Sequence, residues 1–173
     1  MNLKPNTQLI LGIAIVVGIN LAMIFYLTLP FLTAKTIVLA TRPIDPFDPL
    51  RGQYMAINYD ISRIPAPNGA TQGSTVYVLL NENPLHVWEY ATSSIDIPTS
   101  GDFIAGHVDS FYGNQMHVSY GIEQYFFEQD AQFPRANLTV EVKVSSSGQS
   151  QISQLLVNGT PYVFSYENLT LTS

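Results

Sequence analysis

The sequence predicts a mostly β protein in which one N-terminal transmembrane helix is followed by a single antiparallel β sandwich or open barrel. Three observations lead to this fold class. A long uncharged segment lies near the N-terminus, short β-branched and aromatic runs separated by Pro, Gly, Asn and Ser fill the remainder, and no such run alternates with a long amphipathic helix. We therefore divide the chain into an anchor, residues 1–34, and a β-rich domain, residues 35–173.

The N-terminal segment has the length and composition of a membrane span. No charged residue occurs between Pro5 and Ala34, and residues 9–32 would form a helix about 36 Å long. That length crosses a bilayer core of roughly 30 Å with some tilt. A buried helix of a soluble protein rarely runs so far without a charge, and a cleaved signal peptide would have a shorter apolar region and a small residue in place of Leu32. An uncleaved signal anchor is the interpretation that we favour.

The orientation of this span is predicted from the charges beside it. Lys4 and the α-amino group precede the apolar segment and Lys35 and Arg42 follow it, so the positive-inside rule is nearly balanced. A very short leader is more easily retained in the cytoplasm than the long C-terminal part. We predict a single-pass protein of the cell membrane with its C-terminal domain outside the cytoplasm.

Composition restricts what the domain can bind. The chain has a formal net charge of −6, and Lys4 is the one charged residue in its first 34 positions, so the domain itself is acidic. An acidic surface without a basic patch repels phosphate backbones, which excludes nucleic acid as a partner. Absence of cysteine excludes disulfides, thiolate metal sites and thiol redox chemistry. We expect the lipid bilayer and an integral membrane protein as partners, and no cofactor.

Short apolar and aromatic runs predict eight strands in the domain. Asn158-Gly159 lies between two such runs and predicts a tight hairpin turn near the C-terminus. The stretch Ile122–Ala136 is predicted to hold a short helix or a loop. The predicted strands are Thr36–Thr41, Tyr54–Ile61, Thr75–Leu80, His86–Ala91, Phe103–Asp109, Gln115–Tyr120, Leu138–Val144 and Ile152–Val157.

The second predicted strand shows a clear alternation of apolar and polar side chains. A strand has a period of two, so alternate residues share one face of the sheet. The apolar face, which we assign to the core, consists of Met55, Ile57, Tyr59 and Ile61. The opposite face consists of Tyr54, Ala56, Asn58 and Asp60.

Two separated motifs resemble those of the GDYXXLXY family of prokaryotic proteins. In DPFDPLRGQYMAINYDI, residues 45–61, Gly52, Tyr54 and Tyr59 match the family's Gly-Asp-Tyr-x-x-Leu-x-Tyr motif, Ile57 stands for its Leu and Gln53 replaces its Asp. Further along, YGIEQYFFE, residues 120–128, is similar to a YGIE-x-YF segment of the same family. The resemblance implies a membrane-anchored protein of unknown activity, and it carries no catalytic residue to this chain.

The two motifs together suggest one polar patch that organises the domain or receives a partner. Arg51 is the single cation of the loop 45–54, and its planar guanidinium could pair with Asp48 or Glu123 and so join the motifs. An ordinary surface ion pair, worth about 0 to 1 kcal/mol, is the alternative interpretation. The candidate binding or structural residues are Asp45, Asp48, Arg51, Gly52, Tyr54, Ile57, Tyr59, Tyr120 and Glu123.

Other chemistry finds less support in the sequence. The three histidines, His86, His107 and His117, lie in different predicted strands without the short spacing of metal ligands, so we predict no metal site. A small membrane-anchored serine-lysine hydrolase is the alternative to a binding module, and it requires a lysine base beside a serine. Lys35 and Lys143 are the lysines available to it in the domain, and no recognisable serine motif precedes either.

Overall fold

The computed structural model describes residues 5–42, 54–126, 131–132, 138–163 and 165–166. It contains one long helix, a short 3₁₀ turn at Asp60–Ser62 and fourteen strands within those residues. The helix is α1, Pro5–Leu32. The strands are β1 Lys35–Arg42, β2 Tyr54–Ala56, β3 Asn58–Tyr59, β4 Arg63–Pro65, β5 Thr75–Glu82, β6 Trp88–Ser94, β7 Asp102–Tyr112, β8 Gln115–Ser119, β9 Gln124–Phe126, β10 Ala131–Gln132, β11 Leu138–Val144, β12 Ser150–Val157, β13 Thr160–Pro161 and β14 Ser165–Tyr166.

The predicted fold class is confirmed: a helix long and apolar enough to cross a membrane precedes a mostly β domain. Ten of the described strands belong to one sheet, with the order β13-β12-β11-β1-β6-β5-β7-β8-β4 and with β3 pairing to β1. The sheet is mixed rather than purely antiparallel, because β1 and β6 run parallel where Leu39 meets Trp88. Its described strands do not close into a barrel.

The helix α1 is exposed over most of its length. Residues 6–29 are all exposed, including their large apolar side chains, and Pro30 and Phe31 near the C-terminal end are half-buried. Two polar side chains within it are satisfied locally, since Asn20 donates to the carbonyl of Val16 and Thr28 donates to that of Ile24. Only Thr33 and Ala34 separate α1 from β1.

The buried apolar side chains form one core cluster, to which most strands of the large sheet contribute. Alternation of buried and exposed residues along β1, β5, β7, β8 and β11 shows why these sequences form strands with one face packed and the other in water. Fully buried side chains include Leu39, Val76, Val78, Ile104, Met116, Val118 and Val140.

The predicted core face of the second strand is also confirmed. Met55, Ile57, Tyr59 and Ile61 are buried, whereas Ala56, Asn58 and Asp60 are exposed. The strand itself is broken, contrary to the prediction of one continuous element over Tyr54–Ile61. Its first part, β2, pairs with β9, its second part, β3, pairs with β1, and the chain then enters the 3₁₀ turn. The change of partner strand at Ile57 is the physical reason for the break.

Two of the predicted elements differ from the structure, and one predicted turn agrees with it. His86, predicted at the start of a strand, lies in the β5–β6 turn with a positive φ of 59°, where its backbone N–H donates to the carbonyl of Asn83. The stretch predicted as a helix or loop contains β9 and β10 in its described part. The predicted turn at Asn158-Gly159 is confirmed, since both residues have positive φ and join β12 to β13.

Candidate functional site

The two motifs meet in the structure through their backbones. β2, from the first motif, pairs antiparallel with β9, from the second, so that Met55 lies opposite Tyr125 and Ala56 opposite Gln124. The pairing continues at Ile57, whose N–H donates to the carbonyl of Glu123 over 2.7 Å. The first contact between the motifs is therefore a short two-stranded sheet.

A reciprocal pair of tyrosines strengthens this meeting place, which we call the motif junction and define by Ile57, Tyr59, Tyr120 and Glu123. The Tyr59 hydroxyl donates to the carbonyl of Ile122 over 2.7 Å, from the first motif to the second. The Tyr120 hydroxyl donates to the carbonyl of Ile61, also over 2.7 Å, in the opposite direction. Both side chains are buried, Tyr59 completely. Each phenol thus fills core volume with its ring and satisfies a backbone carbonyl with its polar end.

Glu123, which is half-buried, takes part in the motif junction through its carboxylate. One of its carboxylate oxygens accepts a hydrogen bond from the backbone N–H of Tyr120, which holds the turn between the two residues. Burial, and in second place the nearby Glu123 carboxylate, raises the pKa of Tyr59 and that of Tyr120 well above the usual value for a phenol. Both phenols are consequently neutral hydrogen-bond donors at physiological pH.

Tyr120 also rests on a glycine of the neighbouring strand. A Cβ placed on Gly106 of β7 would lie 2.3 Å from a methyl of Val118 and 2.9 Å from two ring carbons of Tyr120. The absence of a side chain there lets the Tyr120 ring lie close to β7. On its other side the carbonyl of Tyr120 accepts a hydrogen bond from the Ser150 hydroxyl at the start of β12. The motif junction therefore connects the two motifs with β7 and β12.

The structure brings together four of the nine candidate residues predicted from the sequence, namely Ile57, Tyr59, Tyr120 and Glu123. Tyr54 takes part through its backbone, which pairs with Phe126. The proposed pairing of Arg51 with Asp48 or Glu123 remains a prediction. The candidate residues that lie outside the described part of the chain are Asp45, Asp48, Arg51 and Gly52.

A second feature, which sequence reasoning missed, is a groove of about 280 Å³ where α1 joins the domain. The Lys35 ammonium lies on its rim, 2.7 Å from a carboxylate oxygen of Asp102 and 4.3 Å from the centre of the Trp88 ring. We call it the junction groove and define it by its lining residues: Thr33, Lys35, Ile37, Leu80, Gly101, Asp102, Phe103, Val144, Ser145 and Ser146. A lysine placed directly after the apolar span was the sequence signal that could have revealed it.

The junction groove brings a lysine and serines into one place, which bears on the hydrolase alternative. The Lys35 ammonium donates to Asp102, and the Ser145 hydroxyl lies 3.0 Å from that of Ser147 and accepts from the N–H of Gln149. Within the described residues, neither Lys35 nor Lys143 has a hydrogen bond to a serine or tyrosine hydroxyl. This geometry lacks the nucleophile-base contact that the hydrolase needs.

Two of the three histidines are engaged in separate pairs. His86 lies 2.7 Å from a Glu82 oxygen and His117 lies 3.2 Å from an Asp109 oxygen, both at the surface. In the described ranges no three His, Asp or Glu side chains converge as a metal site would require.

Comparison with known proteins gives one result. The family model of the GDYXXLXY protein matches residues 16–155, which include most of α1, both motifs and the strands through most of β12. No curated protein and no solved structure matches the chain. Because the match covers well over half of the sequence and includes the junction of the two motifs, the chain belongs to the GDYXXLXY family, whose function is unknown.

Proposed function

We propose that the chain is a single-pass membrane protein whose residues 35–173 form an interaction or structural module outside the cytoplasm. The observation that carries this proposal is α1, which is uncharged, 28 residues long and exposed over residues 6–29. An apolar helix with no protein cover requires another apolar environment, and a bilayer supplies one. Its two polar side chains with local hydrogen bonds to the helix backbone are compatible with that environment.

The chemistry of the motif junction favours a module over an enzyme. The hydroxyls of Tyr59 and Tyr120 donate hydrogen bonds to backbone carbonyls, and the Glu123 carboxylate accepts one from a backbone N–H. In the described part of the chain, every buried polar side-chain atom that is shielded from water has a hydrogen-bond partner. Groups already paired in this way stabilise the domain and present no free reactive atom.

The partner that we propose is an integral membrane or envelope protein. The two motifs converge at one place, and residues 45–53 immediately precede β2 in the sequence. These residues include Asp45, Asp48 and Arg51, which are suited to charged recognition. We propose that they receive the partner together with the motif junction.

Protease protection tests the topology. Protease added to intact cells should remove the domain and leave a small membrane-bound fragment containing α1, because the domain is proposed to lie outside. A cytoplasmic protein serves as the control for cell integrity. Complete protection of the domain would reverse the proposed orientation.

Affinity purification after crosslinking in cells tests the module. Arg51→Ala should abolish recovery of the partner while the melting temperature of the domain stays within a few degrees. Arg63→Ala is the matched control, because Arg63 is an exposed arginine in β4. Recovery of the same partner with the Arg51 variant would contradict the assigned role, and unfolding of that variant would show that Arg51 supports the fold instead.

A further inference from the structure

The junction groove lies at the level where lipid headgroups are found, if α1 spans the membrane as proposed. Two residues separate the end of α1 from Lys35, and an extended chain of that length reaches only about 10 Å. A bilayer with a core of roughly 30 Å has headgroup layers that bring its total thickness to about 40–45 Å. Lys35 and the groove beside it therefore fall within or next to one headgroup layer.

The groove offers one positive and one negative group side by side. The side chains of Lys35 and Asp102 are 51% and 43% exposed, so their ion pair is open to solvent. Exposed pairs of this kind contribute little to folding and can exchange partners at low cost. Ser146, which is exposed, also lines the groove, and its apolar lining includes Ile37, Leu80 and Phe103.

Trp88 holds the lysine at this position. Its ring is buried, and the Lys35 ammonium lies over the ring face at 4.3 Å, a cation–π arrangement. The Lys35 side chain is thereby held beside the domain while it stays 51% exposed.

We propose that the junction groove binds the headgroup of a zwitterionic phospholipid. The lipid phosphate would accept hydrogen bonds from the Lys35 ammonium and the Ser146 hydroxyl, and the lipid amine or quaternary ammonium would pair with the Asp102 carboxylate. A headgroup with both charges matches both side chains, so neither is left without a counter-charge. An anionic lipid would satisfy Lys35 alone and would meet Asp102 and a chain of net charge −6.

Trp88 allows a direct test because it is the only tryptophan in the sequence. The full chain is reconstituted in phosphatidylglycerol vesicles that contain a minor fraction of phosphatidylcholine with a nitroxide on its quaternary ammonium. If the groove selects the zwitterionic lipid, the nitroxide is enriched next to Trp88 and quenches its fluorescence. Replacing the phosphatidylglycerol host by unlabelled phosphatidylcholine should reduce the quenching by a factor of about three, the size expected for one exposed charge pair.

Variants separate the groove from general attraction to the membrane. Asp102→Asn and Lys35→Gln should each abolish the difference between the two hosts. Lys143→Gln is the matched control and should retain it, since Lys143 is an exposed lysine opposite Thr36, at the same height in the sheet but outside the groove. Melting curves check that each variant is folded.

The outcomes distinguish this inference from the proposed anchoring on which it rests. Equal quenching in the two hosts, or an unchanged difference in the Asp102 variant, would overturn headgroup selection while vesicle flotation still shows the chain in the membrane. A wild-type chain that fails to float with vesicles would overturn the anchoring, and the headgroup site with it.

Discussion

The motif junction and the junction groove differ in how their polar groups are used. At the motif junction, two buried tyrosines donate to backbone carbonyls of the opposite motif, and the Glu123 carboxylate accepts from the backbone N–H of Tyr120 within its own motif. At the junction groove, Lys35 and Asp102 are paired with each other and half exposed. Buried hydrogen bonds are costly to break and exposed ion pairs are not. The described motif residues therefore support the fold, whereas Lys35 and Asp102 of the junction groove are charged groups that a ligand can contact.

The largest effect should follow removal of the central tyrosine. Tyr59→Ala deletes a completely buried ring and leaves the carbonyl of Ile122 without its donor. We expect a loss of about 3 to 5 kcal/mol in the free energy of unfolding. Urea unfolding of the full chain in detergent, followed by circular dichroism, measures this.

Two other tyrosines provide controls for this prediction. Tyr112→Ala removes an exposed tyrosine from β7 and should change stability by less than about 1 kcal/mol. Tyr54→Ala should also cost less than Tyr59→Ala, because the sequence pattern places Tyr54 on the opposite face. Equal losses at Tyr54 and Tyr59 would show that the alternation does not decide which tyrosine supports the core.

The second largest effect should be a loss of stability at alkaline pH, which arises at the motif junction. The folded-state pKa values of Tyr59 and Tyr120 are raised above the value of about 10 that each phenol has in the unfolded chain. Above that pH the unfolded state binds fewer protons than the native state, so stability falls as pH rises. The contribution of the two protonated tyrosines to the free energy of unfolding is fully present below pH 10. Above that pH it should fall by about 1.4 kcal/mol per pH unit for each tyrosine.

Unfolding curves across this range, for wild type and for the variant with Tyr59→Phe and Tyr120→Phe, measure the effect. The double variant should start from a lower stability, because two buried carbonyls lose their donors, and should decline less steeply with pH. Tyr112→Phe is the control and should decline as wild type does. Parallel curves for wild type and the double variant would show that other groups cause the alkaline loss.

Sequence reasoning predicted the parts of the fold that depend on local patterns. The period of two identified Met55, Ile57, Tyr59 and Ile61 as core residues, and the uncharged run identified α1. The Asn158-Gly159 turn follows from the same kind of local preference, since few residues adopt positive φ easily. These features are encoded within a few neighbouring residues.

Features that depend on distant partners were not predicted. β4 and β9 have three residues each and exist because β8 and β2 pair with them, so their own sequences contain no adequate strand signal. The possible pairing of Arg51 with Glu123 suggested that the motifs meet, but the tyrosine contacts that join them connect residues about sixty positions apart. The junction groove likewise depends on Lys35 and Asp102, separated by 67 positions.

A smaller effect on stability is expected from adding a methyl group at Gly106, which lies against Tyr120. Gly106→Ala introduces a Cβ that would lie 2.3 Å from Val118 and 2.9 Å from the Tyr120 ring, so both side chains must move. We expect a loss of about 1 to 3 kcal/mol, as for other overpacked cores. Thermal unfolding measures it. An unchanged melting temperature would mean that the contact between Tyr120 and β7 is not part of the rigid motif junction.

The smallest effect is expected at the junction groove itself. Lys35→Gln removes an ion pair whose partners are both about half exposed, so water replaces much of what each group loses. The expected change in the free energy of unfolding in detergent, where no zwitterionic phospholipid is present, is about 0 to 1 kcal/mol. Lys143→Gln, the control outside the groove, should give a change of similar size. If Lys35→Gln instead costs as much as Tyr59→Ala, the Lys35-Asp102 pair with Trp88 is a structural support of the domain, and the contrast between a closed motif junction and an open groove is wrong.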